Sequence, residues 1–160
     1  MNDLEMAIQM EKDGEIFYKR QAELNKDNYL FNICMMLAED EKVHANVLEK
    51  KLKSLEYELS PSTFDKEPSL FTNLNDFSVE ERFTLRQQDF YSLAADIELK
   101  SIELYTRLFN QSEDEKDKEI FQYLIDQEKN HYNIIDALAQ ALRSADEWVE
   151  NAEFGNRPEY

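Results

Sequence analysis

An internal repeat constrains the fold of this chain more than any other feature of its sequence. When the sequence is shifted by 87 residues, so that Ala7 meets Ala94, chemically distinctive residues coincide along most of its length. The matched pairs are Ala7 and Ala94, Glu11 and Glu98, Tyr18 and Tyr105, Arg20 and Arg107, Leu37 and Leu124, Glu41 and Glu128, Lys42 and Lys129, and His44 and His131. The two halves are therefore versions of one structural unit.

That unit is helical. The 160 residues include only two Gly and three Pro, and Leu, Glu, Lys, Ala and Gln are abundant, which favours helix throughout. Four segments carry apolar residues at spacings of three and four. They are residues 3–24, 28–55, 89–110 and a segment that begins near residue 115 and ends near residue 142. Asp27 is a suitable cap for the second helix, and the pattern from Ser112 to Glu115 is a capping box for the fourth.

The lengths of the connections predict how these helices are arranged. A few residues join the first two helices and the last two, which favours two antiparallel hairpins, whereas about thirty residues separate the second helix from the third. This is the order of an all-α, ferritin-like four-helix bundle with one long crossover. We expect one domain, with a hairpin at 3–55, a crossover at 56–88, a hairpin at 89–142 and a tail at 143–160. A short helix capped by Ser78 to Glu81 is expected inside the crossover.

Charge and composition restrict the partners. With 35 acidic and 18 basic residues the net charge is −17, so nucleic acids and anionic membranes would repel the chain, whereas cations are attracted. No run of eighteen apolar residues is present, and the opening "MNDLEMAIQM" does not resemble a secretory signal. The single cysteine, Cys34, has no partner for an internal disulfide. We therefore expect a cytoplasmic protein that binds neither nucleic acid nor membrane.

Both histidines of the chain follow a glutamate by three residues, in "EKVH" and "EKNH". A further glutamate stands thirty residues before each of those two, and the midpoints of the two intervals, Lys26 and Glu113, fall in the predicted turns. About thirteen helical residues, or roughly 20 Å, therefore separate each of the four glutamates from its turn. In antiparallel hairpins all four lie at one height.

The apolar neighbours of these residues place them on the inner helix faces. Four carboxylates and two imidazoles then meet in the core, and four buried like charges need compensation. Two divalent cations would supply it. The predicted metal ligands are Glu11, Glu41, His44, Glu98, Glu128 and His131. A solvated helix surface also produces single Glu-x-x-His patterns, but it does not explain the repeated spacing.

Several residues near this set have two interpretations. Tyr18 and Tyr105, each seven residues after a glutamate, either donate hydrogen bonds to the ligand carboxylates or are ordinary core tyrosines. Gly14 and Ser101 either allow close helix packing or leave room for a small molecule beside the metals. Cys34 and the five methionines are interpreted as core residues.

With these residues the chain resembles the rubrerythrin branch of the ferritin-like superfamily, the di-iron carboxylate bundles. The resemblance lies in "EKDGEIFY" (11–18) with "EKVH" (41–44), and in "ELKSIELY" (98–105) with "EKNH" (128–131). It implies two iron ions. Glu11 and Glu98 would be terminal ligands on separate irons, Glu41 and Glu128 would bridge them, and His44 and His131 would each complete one iron.

The chain departs from rubrerythrins in two respects. It has no paired CxxC iron ligands, and Ser101 stands where rubrerythrins have an additional glutamate that is tied to peroxide reduction. Reduction of a substrate would therefore require an external electron donor.

Three functions are compatible with the sequence. The first is a di-iron oxidoreductase that reacts with O₂ or peroxide, as a ferroxidase or a peroxide scavenger. The second is a non-catalytic protein that binds iron, manganese or zinc for storage, sensing or stability. The third is a metal-free helical interaction module. A homodimer is expected in each case, because the crossover is rich in aromatic residues and the tail carries Trp148, Val149 and Phe154.

Overall fold

The computed structural model describes residues 1–66 and 85–150, with side chains as far as Lys66 and from Asp89 to Arg143. Within these residues the chain forms four α-helices and one 3₁₀ helix, and it contains no strand. The helices are α1 (Asp3–Leu24), α2 (Leu30–Leu52), α3 (Leu85–Gln111) and α4 (Glu115–Glu150), and the 3₁₀ helix is Thr63–Lys66. The prediction of an all-α fold is confirmed.

The helices pair as two hairpins, because α1 packs along α2 and α3 packs along α4, and α1 also contacts α3. Buried apolar side chains fall into two clusters at opposite ends of the bundle. The first cluster includes Ala22, Leu30, Leu37, Phe90 and Leu138, and the second includes Ala7, Leu48, Leu108, Ile120 and Leu124. Since α1 gives its C-terminal half to the first cluster and α3 its N-terminal half, the two helices run antiparallel. The predicted four-helix bundle is confirmed.

The ends of α2 differ from the expectation of 28–55. Asp27 does not cap the helix; instead the side chain of Asn28 accepts a hydrogen bond from the backbone N–H of Leu30 at 2.9 Å. At the other end Ser54 has φ of 58°, a left-handed conformation, and the N–H of Leu55 donates to the carbonyl of Lys50. This turn closes the helix at Leu52, three residues earlier than expected.

The second hairpin is longer than the expected 89–142. Helix α3 begins four residues earlier, at Leu85, and α4 continues to Glu150. Neither of these extensions contains Gly or Pro, so no helix-breaking residue ends the helices where they were expected to end. Ser112 does not cap α4; its hydroxyl donates to the carbonyl of Leu108, and Asp114 accepts from the N–H of Lys116.

Some expectations fall on parts of the chain that the structure does not describe. These are the short helix capped by Ser78 to Glu81, the side chains of Trp148 and Val149, and Phe154. Across residues 1–66 and 85–150, the helices are too polar or too short in apolar length to cross a membrane.

Candidate metal centre

The six residues that the repeat singles out come together in the middle of the bundle. The helices α1, α2, α3 and α4 contribute, in order, Glu11, Glu41 with His44, Glu98, and Glu128 with His131. Every one of these residues has at most 2% of its surface exposed. They form a polar layer between the two apolar clusters, and a solvated helix surface does not account for them.

The polar layer divides into two groups, each of which could hold a metal ion. One comprises Glu11, Glu41, His44 and Glu128, and the other comprises Glu41, Glu98, Glu128 and His131. Within each group one ligand atom from every residue lies within 4.8 Å of the others. Glu41 and Glu128 belong to both groups, so they lie where they could bridge two ions.

The imidazole Nδ1 atoms point into this layer. Nδ1 of His44 lies 3.1 Å from Oε1 of Glu128 and 3.4 Å from Oε2 of Glu11. Nδ1 of His131 lies 3.2 Å from Oε1 of Glu41 and 3.4 Å from Oε2 of Glu128. The two rings are nearly parallel, at 24° with centroids 5.8 Å apart. Nδ1 is therefore the nitrogen that each histidine could offer to a cation.

The Nε2 atoms face outward, toward two residues that the sequence analysis missed. Nε2 of His131 donates to Oδ2 of Asp40 at 2.7 Å, and Nε2 of His44 donates to Oε1 of Gln127 at 3.0 Å. Such bonds keep a proton on Nε2 and leave Nδ1 for a ligand. Asp40 and Gln127 also match in the repeat, each directly before the glutamate of its Glu-x-x-His pattern. That register was the signal that could have identified them.

Asp40 is buried, with 2% of its surface exposed, and its carboxylate accepts four hydrogen bonds. Besides Nε2 of His131, the donors are the hydroxyl of Ser62 at 2.5 Å, and the backbone N–H and hydroxyl of Thr63 at 2.8 and 2.9 Å. Burial would raise the pKa of Asp40, but the bond to His131, its positive charge and the Ser62 and Thr63 donors together lower that pKa to about 2. Asp40 is therefore ionised at neutral pH.

Two tyrosines link the hairpins through the polar layer. The hydroxyl of Tyr18, on α1, donates to Oε1 of Glu98 on α3 at 2.5 Å, and the hydroxyl of Tyr105, on α3, donates to Oε1 of Glu11 on α1. Burial and the negative glutamates raise the pKa of both phenols well above the ordinary value, so both remain donors. Each tyrosine thus contacts the glutamate of the opposite half.

The pKa values of the four carboxyl groups shift in two opposite directions. Burial, with the nearby charges of Glu11 and the other glutamates, raises the pKa of Glu41 and of Glu128 well above its usual range. Burial would also raise the pKa of Glu11, but the adjoining Glu41 carboxyl and the charge of His44 lower it overall to about 2. Burial would raise the pKa of Glu98 too, but its contact with the Glu128 carboxyl and the charge of His131 lower that pKa overall. Without cations, Glu41 and Glu128 therefore hold a proton more strongly than Glu11 and Glu98 do.

The two imidazoles are also shifted toward their protonated forms. Burial would lower the pKa of His44 and of His131, but contact with Glu11 and Glu98 respectively, and with Glu128, raises each pKa well above 6.5. Protonation of Glu41, Glu128, His44 and His131 is thus favoured when the layer holds no cation, and divalent cations could take the place of these protons as positive charge in the core.

Several atoms of the layer have unused bonding capacity. Among the described residues, the buried side-chain atoms without a hydrogen-bond partner include Glu11 Oε2, Glu41 Oε1, Glu98 Oε2, Glu128 Oε2 and His131 Nδ1. Buried polar atoms normally have a partner. Carboxylate oxygens and imidazole nitrogens are ligands that suit iron, manganese and zinc. The residues present therefore fit a pair of such ions.

Gly14 leaves space beside this layer. It lies inside α1, where glycine costs about 1 kcal/mol relative to alanine, yet a Cβ atom at this position would stand only 3.0 Å from Oε2 of Glu41. A surface cavity of about 330 Å³ reaches Gly14 and is lined also by Met6, Met10 and Ile97. The absence of a side chain thus accommodates Glu41 and brings the cavity close to it.

The corresponding position in the second half is occupied by Ser101. It is buried, and its hydroxyl donates to the carbonyl of Ile97 at 3.0 Å and contacts the sulfur of Met10 at 3.6 Å. Gly14 and Ser101 are therefore unequal in how much space they leave near the polar layer.

Comparison with known protein families gives one match for the chain. The sequence model described as Rubrerythrin matches residues 2–139, which include all six residues of the polar layer. Neither the comparison with curated proteins nor the comparison with solved structures gives a match.

Proposed function

This chain belongs to the rubrerythrin family, and from that premise we propose that it is a di-iron carboxylate protein that reacts with O₂ or peroxide. It acts as a ferroxidase or as a peroxide-scavenging oxidoreductase, and an external donor supplies electrons. The observation that carries this proposal is the pair of buried four-residue groups that share Glu41 and Glu128.

Glu11 and Nδ1 of His44 would hold one iron, and Glu98 and Nδ1 of His131 would hold the other. Glu41 and Glu128, which belong to both groups, would contribute to both. Manganese or zinc could bind the same donors.

The bound iron pair would supply the electrons that reduce O₂ or peroxide. Protons that the surroundings favour on Glu41, Glu128 and the two imidazoles would be released as the ions bind. Tyr18 and Tyr105 keep hydrogen bonds on the terminal carboxylates, so Glu98 and Glu11 retain their orientation. The flanking apolar clusters exclude water from the layer.

Loading the metal-free protein anaerobically with Fe(II) and then adding O₂ or peroxide tests this proposal. We expect the protein to bind two irons per chain. The rate of oxidation to Fe(III), measured by absorbance, should be at least tenfold higher than for Fe(II) in buffer alone. The double variant Glu41→Ala, Glu128→Ala removes both bridges and should oxidise iron no faster than buffer does.

A matched control alters two exposed carboxylates of the same helices, Glu39→Ala with Asp126→Ala. This variant should retain both irons and the wild-type rate, because these side chains lie outside the polar layer. Oxidation by the wild-type protein that is no faster than by the bridging variant would refute the oxidoreductase proposal.

The second candidate is a non-catalytic metal-binding protein for storage, sensing or stability. The nearly complete burial of all six residues favours it, because a site closed to solvent retains ions well. In that case the purified protein contains stoichiometric metal, chelation lowers its melting temperature, and neither O₂ nor peroxide is consumed. A metal-free interaction module would contain no metal and bind none.

We also propose that the chain is a homodimer. Of the residues that motivate this, Phe64 is buried within the chain, whereas the crossover aromatics after residue 66 and the tail from Trp148 onward have no described side chains. Light scattering coupled to size-exclusion chromatography would give twice the monomer mass of 19.0 kDa for a dimer, and the monomer mass would contradict the proposal.

A further inference from the structure

The two histidines of the polar layer have different partners on Nε2. His131 donates to a carboxylate, Oδ2 of Asp40 at 2.7 Å, whereas His44 donates to an amide oxygen, Oε1 of Gln127 at 3.0 Å. The two partners stand at matching positions of the repeat. The inner donors are the same on both sides, namely three carboxylates and one imidazole for each group. The two positions therefore differ in the residue that accepts the Nε2 hydrogen bond of each histidine.

A carboxylate and an amide act differently on a ligating imidazole. Both fix the proton on Nε2 and orient the ring, but the carboxylate also adds a negative charge and increases the electron density that Nδ1 offers to a cation. Removing such a partner typically costs 10- to 100-fold in metal affinity. The Asp40 side should accordingly bind a cation more strongly.

The Asp40 side is also held more firmly. Its carboxylate accepts from Ser62 and Thr63, at the start of the 3₁₀ helix, so four donors fix its orientation. The buried ring of Phe64 lies edge-on to the His131 ring, with centroids 6.1 Å apart. Gln127 is only half-buried. Orientation of the His131 ring is therefore determined before a cation arrives, which reduces the entropy lost on binding.

We infer that the two metal positions are unequal, that the one formed with His131 and Glu98 binds its ion first and more tightly, and that Asp40 is the positioning residue responsible. This inference rests on the proposed metal site and concerns the order in which it fills. It does not depend on whether the bound metal reacts with O₂ or peroxide.

Anaerobic titration of the metal-free chain, residues 1–160, with Co(II) tests the inference, with the visible absorption bands of Co(II) as the readout. We expect two binding steps that differ at least tenfold in affinity. The steps are assigned with two ligand variants: Glu98→Gln should abolish the tight step, and Glu11→Gln should abolish the weak one. The reverse assignment would overturn the inference.

Two substitutions then exchange the outer partners. Asp40→Asn, which preserves shape and removes the charge, should weaken the tight step 10- to 100-fold and change the weak step less than threefold. Gln127→Glu should strengthen the weak step about tenfold and bring the two constants together. A merely structural role for Asp40 would instead weaken both steps in the first variant and give no gain in the second, and that result overturns the inference.

The possible failures are distinguishable. If the wild-type chain takes up no Co(II), this inference and the proposed metal site both fail. If it takes up two ions in steps of equal affinity, the inference fails and the metal site stands. If Asp40→Asn does not fold, the gain expected in Gln127→Glu decides the outcome alone.

Discussion

The two hairpins place the same residue types at the centre of the bundle and different residue types next to that centre. Each gives the polar layer a glutamate, a Glu-x-x-His pair and a tyrosine, at the same spacing. Outside that set, Asp40 corresponds to Gln127 and Gly14 corresponds to Ser101. The residues that could bind a cation and the tyrosines that donate to them follow the repeat, whereas the residues at positions 40 and 127 and at positions 14 and 101 do not. The two four-residue groups thereby differ in their surroundings while their own residue types remain alike.

Metal loading should reveal the largest difference between the hairpins. At a free metal concentration about 1,000 times Kd, a bound ion stabilises the folded chain by about 4 kcal/mol. Urea unfolding with and without anaerobic Co(II) measures this gain. Because the Glu98 position is the tighter one, Glu98→Gln should lose more of the gain than Glu11→Gln does. Equal losses in both variants would mean that the two halves are equivalent as binding sites.

The tyrosines test whether the halves remain equivalent in their hydrogen bonds. Tyr18→Phe and Tyr105→Phe each remove a buried donor from a glutamate, so each should lower the free energy of unfolding of the metal-free chain by about 2 kcal/mol. Tyr57→Phe, at the edge of the second apolar cluster, is the control and should change it by less than about 0.5 kcal/mol. Costs that differ by more than twofold between Tyr18 and Tyr105 would break the equivalence.

The outer partners should differ in the pH dependence of stability. The pKa of Asp40 falls from an ordinary 3.8 to about 2 on folding, so its ionisation stabilises the fold by about 2 kcal/mol above pH 4. This contribution is lost as the pH falls from about 4 toward 2, because the unfolded chain takes up the proton first. Asp40→Asn should therefore be destabilised at pH 6, by roughly half as much at pH 3, and should approach the wild type only near pH 2.

Gln127→Ala serves as the comparison for that measurement. It removes a neutral partner from His44, so its cost in urea unfolding should be about 1 kcal/mol and should not follow the titration of Asp40. A cost for Asp40→Asn that is the same at pH 6 and pH 3 would show that its charge does not stabilise the fold.

The smallest effects are expected at the position next to the layer. Gly14→Ala gains about 1 kcal/mol in helix propensity but crowds Glu41, whose Oε2 would lie 3.0 Å from the new methyl group. We expect a net change in stability below about 1 kcal/mol, together with a loss of Co(II) affinity of a few-fold. Ser101→Ala, the matched substitution, should leave the affinity unchanged. Equal affinities in both variants would mean that Gly14 has no special relation to Glu41.

The inner set of the candidate site was predictable because its residues combine two independent regularities. The spacing of Glu11, Glu41 and His44 repeats 87 residues later, and helical geometry converts that spacing into a common height. The four helices were predictable from their apolar periodicity. The bounds of α1, Asp3 and Leu24, agree with the prediction. Those of α2 do not, because the left-handed turn at Ser54 ends the helix early and Asn28, not Asp27, accepts the hydrogen bond at its start.

Asp40 was not predictable in the same way. A charged residue beside other charged residues in "LAEDEKVH" is typical of a solvated helix surface. It is buried because Ser62 and Thr63, more than twenty residues later in the sequence, fold back onto it. The hydrogen-bond partners of Tyr18 and Tyr105 likewise depend on the antiparallel contact of α1 with α3. That contact cannot be inferred from the sequence of either helix alone.

The crossed tyrosine bonds also bear on how the chain folds. Tyr18 and Glu11 lie seven residues apart on α1, roughly 10 Å along its axis, so neither can satisfy the other. Their partners, Glu98 and Tyr105, belong to the second hairpin. Separation of the hairpins therefore breaks both bonds, at about 1.5–3 kcal/mol each because the acceptors are charged, and exposes the apolar surface that the hairpins bury together. The two halves, although they repeat one another in sequence, should unfold together in a single cooperative transition.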